Sequence, residues 1–64
     1  MVKINGQESD AAGMTVSQYI STTDYNIDRI AVEKNEQIVP KMQYGTTVIE
    51  DGDNIEIVSF VGGG

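Results

Sequence analysis

The sequence predicts an α+β fold in which one short helix packs on a sheet of four or five short strands. Three observations predict it. Apolar residues alternate ahead of the tight turn Asn5-Gly6, a second pair of strand-like runs flanks Asn35-Glu36, and a single stretch between them, Val16, Tyr19 and Ile20, has helical spacing. Two hairpins and one amphipathic helix bury their apolar faces most economically as helix on sheet.

Val2 and Ile4 alternate with Lys3, and the Asn5-Gly6 turn that follows accepts the positive φ of a type I′ hairpin. A short polar return strand from Gln7 to about Ala12 is implied, and Gly13 breaks it. Thr15 then stands where a helix N-cap belongs, with Gln18 three residues on as in a capping box. The helix runs from about Val16 to Thr22 or Thr23. With two turns it depends on packing rather than propensity. After the turn-like Asp24-Tyr25-Asn26, Ile30 and Val32 alternate with Ala31 and Glu33, Asn35-Glu36 connects, and Gln37 to Val39 returns until Pro40 ends the ladder. Lys41 to Thr47 reads as a loop with one turn of tight helix. Glu50 to Asn54 is a turn, and Ile55 to Val61 is the most strand-like stretch of all, rich in β-branched residues. Because the chain returns to the sheet after a long connection, this last strand is expected beside the first, in parallel.

Composition removes several classes of function. The 64 residues contain no cysteine and no histidine, so a disulfide framework, a thiolate zinc site and the commonest general base are all missing. Thr15 and Ser17 have no histidine to activate them as nucleophiles. Asp51-Gly52-Asp53 lacks the longer spacing and distal glutamate of a calcium loop, so it is read as a solvated turn. Ten acidic residues against four basic give a net charge of −6, and no basic residue follows Lys41, which argues against nucleic acid; the charge either steers the protein toward a basic partner surface or only keeps a small protein soluble. No apolar run exceeds Ile30-Ala31-Val32, so neither a signal peptide nor a membrane span is expected, and the expected compartment is the cytoplasm.

The chain stops at Ser59-Phe60-Val61-Gly62-Gly63-Gly64. Together with Ile30 to Asn35, Ile38-Val39-Pro40 and Glu50 to Val58, this ending resembles the ThiS family of thiamin-biosynthesis sulfur carriers, which are ubiquitin-like β-grasp proteins. The resemblance covers the whole chain in length and element order, and it is most specific in the second half. It implies one β-grasp domain over residues 1–61 and a flexible glycine tail over 62–64. It also implies a carrier rather than an enzyme. An E1-like partner (ThiF-like) would use ATP and magnesium to adenylate the carboxylate of Gly64, sulfur from a donor enzyme would replace AMP to give a thiocarboxylate, and a thiazole synthase (ThiG-like) would accept it. No cofactor or metal would be bound by this chain. Gly63 completes the diglycine, and Gly62 is one glycine more than the motif requires.

Physical chemistry explains why that chemistry suits glycine. To reach an ATP α-phosphate inside another protein the tail must thread a narrow channel, and each Cβ would widen the thread and restrict φ. Ahead of the tail, Ile55, Ile57 and Ser59 share one strand face and are expected to point inward. Glu56, Val58 and Phe60 share the other. Val58, Phe60 and Val61 are therefore candidate docking residues, with Glu50, Asp51, Asp53 and Glu56 as a polar rim; the competing reading has Phe60 closing the core. A molybdopterin-synthase small subunit, a ubiquitin-like modifier and a noncatalytic β-grasp binding module remain alternative functions.

Overall fold

The computed structural model describes residues 1–60. In chain order the elements are β1 (Val2–Ile4), β2 (Gln7–Ser9), α1 (Val16–Ser21), a 3-10 turn at Ile27–Arg29, β3 (Ile30–Lys34), β4 (Gln37–Val39), a second 3-10 turn at Lys41–Gln43, and β5 (Asn54–Ser59). The five strands form one mixed sheet in the order β2-β1-β5-β3-β4, with α1 on one face. β1 and β5 run parallel, with Lys3 opposite Asn54 and Ile4 opposite Ile55, as the return of the chain after a long connection requires. All other pairs are antiparallel.

Both hairpins turn through two residues of positive φ. Asn5 and Gly6 sit at 51° and 80°, and Asn35 and Glu36 at 52° and 69°, so each turn has the mirror-image twist that suits flanking strands. The first return strand stops at Ser9 rather than near Ala12, because Ala11 leaves the sheet plane and is buried in the core.

Thr15 caps α1 as its spacing predicts. The Gln18 N–H donates to Thr15 Oγ1 at 3.1 Å, and the Thr15 N–H donates back to Gln18 Oε1 at 2.9 Å. Other N–H groups of the first turn find carbonyls in the long loop: Val16 donates to Thr47 and Ser17 to Tyr44. The loop is thereby tied to the helix. Val16 and Ile20 then pack on Val2, Ile4, Ile30, Val32, Val39, Ile55 and Ile57 of the sheet. Tyr44 and Ile49, from the loop, join the same cluster, and Tyr44 is buried outright.

β5 differs from expectation at its end. Ile55 and Ile57 are buried against the helix side, but Ser59, opposite the buried Ile30 on the same face, is exposed. The reason is the neighbour. β1 pairs with β5 only through Ile55, so the last residues of β5 extend past the covered part of the sheet. Regular strand ends at Ser59, although the Phe60 N–H still donates to the Arg29 carbonyl at 2.7 Å.

Candidate functional site

The sheet face turned away from α1 carries the candidate site. On β5, Glu56 and Val58 point to it, with Phe60 following; on β3, Ala31 and Glu33; and on β4, Ile38. The register sets Ala31 opposite Val58, and Glu33 opposite both Glu56 and Ile38. Val58 and Phe60 are 52% and 58% exposed, so neither closes the core, and Phe60 stands free at the point where the tail begins. Ile38, which the sequence reading left unassigned, is 75% exposed on the same face. Its signal was available in the pattern: Val39 ends β4 facing inward, so its neighbour must face outward. Val61, Gly62, Gly63 and Gly64 lie outside the described residues.

The expected acidic rim is only partly there. Glu56 borders Val58, but Glu50 and Asp51 precede β5 at its other end, about 20 Å of strand away from Phe60. Asp53 is largely withdrawn from the surface. Its carboxylate is buried and accepts from the Glu50 N–H at 2.8 Å and from Asn35 Nδ2 at 2.9 Å, with Lys34 Nζ at 3.4 Å. Burial alone would push its pKa up, yet these hydrogen bonds and the Lys34 charge outweigh it and hold the carboxyl below its ordinary value. Asp53 is therefore a fastener between the turn and the second hairpin; the solvated-turn reading holds for Asp51 and Gly52, which are exposed in a turn, and is corrected for Asp53 alone.

Among the described residues no group of three metal-ligating side chains converges, and no helix is long and apolar enough to cross a membrane. What remains is a central strand that leads straight from the core to the glycine tail, flanked on its outer face by exposed apolar side chains.

The profile of the ThiS family matches residues 2–64. The chain belongs to the ThiS family. A relative from Escherichia coli named sulfur carrier protein ThiS is 35% identical over 54 residues, which cover 84% of this chain and 82% of that protein. A protein of Paramagnetospirillum magneticum named thiazole synthase is 44% identical over 62 residues, or 95% of this chain but 19% of that protein. A thiazole synthase of Magnetococcus marinus is 34% identical and is covered over 20% of its length. The chain thus spans about a fifth of these two relatives. Among solved structures, the ThiS protein of Geobacter metallireducens superposes with a TM-score of 0.79 at 27% identity, covering 98% of this chain and 97% of that one. The mixed five-stranded sheet on one short helix is the β-grasp fold.

Proposed function

We propose that this chain is a sulfur carrier for the thiazole of thiamin rather than an enzyme. The single observation that carries the reading is its match to the ThiS family over residues 2–64, the glycine tail included. The folded domain supplies what a carrier needs. β5 is the central strand, paired on both sides, and it hands the chain to Val61 and the glycines at an exposed apolar edge.

In this reading the Gly64 carboxylate attacks the α-phosphate of ATP in an E1-like (ThiF-like) partner, pyrophosphate leaves, and an acyl adenylate forms. Sulfur at the sulfide level, released from a donor by a reducing thiol, then attacks the acyl carbon, AMP leaves with the phosphate oxygen, and the thiocarboxylate remains for a thiazole synthase (ThiG-like) to consume. ATP and magnesium belong to the partner. The similarity to a stretch of two proteins named thiazole synthase supports that enzyme as the acceptor, since a carrier joined to its acceptor in one chain would meet it at high effective concentration. Val58, Phe60 and Val61 would contact the partners while Gly62 and Gly63 thread the channel. The expected compartment is the cytoplasm, where the nucleotide is abundant.

The test is intact mass. Incubation with a ThiF-like enzyme, ATP, magnesium and a sulfur donor should add the mass difference between sulfur and oxygen, and deletion of Gly64 should abolish it. Thiocarboxylate that no thiazole synthase accepts, but a molybdopterin synthase does, would move the protein to the other branch of the fold.

A further inference from the structure

Of the chain's four asparagines, only Asn5 is followed by glycine. In an unfolded peptide that pair is chemically unstable. The glycine amide nitrogen, once base takes its proton, attacks the asparagine Cγ; a five-membered succinimide closes, the bond from Cγ to the side-chain nitrogen breaks, and ammonia leaves. Water then opens the ring at either carbonyl, giving aspartate or isoaspartate. No oxidant or metal is needed, and glycine favours the attack because it has no Cβ to crowd the nitrogen. Asn5 and Gly6 are both exposed, and nothing beyond the adjoining residues stands within 4 Å of where a Gly6 Cβ would be. Water and base therefore reach the pair.

The fold withholds the geometry instead. Ring closure needs Cβ of Asn5 and the Gly6 nitrogen nearly eclipsed about the bond between Cα and the carbonyl carbon. Asn5 has φ 51°, and in that left-handed region ψ is about +30° to +60°. At an L-residue the torsion from Cβ to the next nitrogen exceeds ψ by about 120°, so Cβ stands nearly opposite the Gly6 nitrogen. The carboxamide is also held. Its Oδ1 accepts the Ile57 N–H at 2.8 Å, and its Nδ2 donates to the Ile57 carbonyl and to the Tyr25 hydroxyl, each at 3.2 Å. Both the turn and these bonds must come undone before the nitrogen can reach Cγ.

The strand in turn depends on the amide. β1 ends with Ile4 opposite Ile55, and the Asn5 side chain supplies the next contact along β5, at Ile57. Aspartate keeps an acceptor for the Ile57 N–H but sets a carboxylate oxygen against the Ile57 carbonyl, where Nδ2 donates now. Isoaspartate adds a carbon to the main chain within a two-residue turn that sets Ile4 opposite Gln7. Either product adds one negative charge to a chain already at −6.

We propose that Asn5 is a latent modification site, protected while the first hairpin is closed and deamidated when it opens, and that the change irreversibly releases the last part of β5. Its rate follows the fraction of time the junction of β1 with β5 is open. The modification marks copies of the protein that have been open.

The test incubates the full chain at mildly alkaline pH in buffer and in denaturing urea, with a peptide of residues 1–10 in both solvents to correct for the urea. Conversion of an amide to a carboxyl is read by mass and located by fragmentation. Isomerisation at Asp51-Gly52 leaves the mass unchanged, so it does not enter the reading. The folded chain should gain mass at Asn5 at least about tenfold more slowly than the unfolded chain, and the unfolded chain should gain it at Asn5 first. In Asn5→Asp the Ile57 amide should exchange hydrogen about tenfold faster or more, while amides of the β3–β4 hairpin change less than about threefold. Equal corrected rates in the two solvents, a first mass gain at another asparagine, or unchanged Ile57 exchange in Asn5→Asp would overturn the proposal. The rate comparison stands on the parent chain alone, so it decides the matter even if Asn5→Asp does not fold.

Discussion

Asn5 completes a ladder that β1 leaves unfinished: its Oδ1 accepts the Ile57 N–H at 2.8 Å while its Nδ2 donates to the Ile57 carbonyl at 3.2 Å. The same Nδ2 donates to the Tyr25 hydroxyl at 3.2 Å. Asn35, at the equivalent place in the second hairpin, holds the start of the same strand from the other side. Its N–H donates to the Asn54 carbonyl at 2.8 Å, and its Oδ1 accepts the Asn54 N–H at 2.9 Å. Asparagine tolerates the positive φ of both turns and brings an amide that imitates a peptide group. Two turns thus clamp one strand.

Replacing Asn5 with glycine keeps the turn conformation and removes only the amide. Asn5→Gly should cost about 1–2 kcal/mol in urea denaturation, the range for lost hydrogen bonds to a partly buried backbone. An unchanged midpoint would show that water replaces the amide without loss.

Glu36 is the one residue of the two turns that is neither glycine nor asparagine, yet its φ is 69°. Glu36→Gly should therefore raise stability by about 1 kcal/mol, the cost of holding an L-residue with a Cβ in the left-handed region. A decrease in the thermal midpoint would contradict this.

Asp53 gives the fold an acid-sensitive point. Its folded pKa lies below the ordinary 3.8, so its contribution is fully present above that value and is lost as the pH falls through the lower, folded one. The urea midpoint of the parent should drop steeply below about pH 4, and Asp53→Asn should flatten that drop while lowering the midpoint at pH 7. Parallel acid profiles for the two proteins would assign the sensitivity to other carboxylates.

Ile57 within β5 and Phe60 just past its end should behave oppositely. Phe60→Ala should change stability by no more than about 0.5 kcal/mol, because the side chain is mostly in water, and should weaken partner binding instead. Ile57→Ala, in the core, should cost about 2–5 kcal/mol. A Phe60→Ala variant that unfolds would refute the assignment of Phe60 to the surface.

The sequence carried the fold because its local signals agree: Asn5-Gly6, the Thr15 and Gln18 capping box, and the alternation of Ile55 and Ile57 each have one structural solution. It did not show that Tyr44 and Ile49 belong to the core, since a loop has no period from which an inward direction can be read. Asp53 was misplaced for a related reason. Its partners, Asn35 and Lys34, are distant along the chain, and only the pairing of β3 with β5 brings them together. Ser59 kept the alternation but lost its cover, because how far β1 extends alongside β5 is not encoded in β5 itself.

The place of β5 in the sheet also has a mechanical meaning. Whatever draws on the chain beyond Phe60 draws along the axis of a strand held by β1 on one side and β3 on the other. Such a pull loads those hydrogen bonds together, in shear, instead of peeling them one by one from an edge. An enzyme could grip and tug the end of this small protein hard without unravelling it.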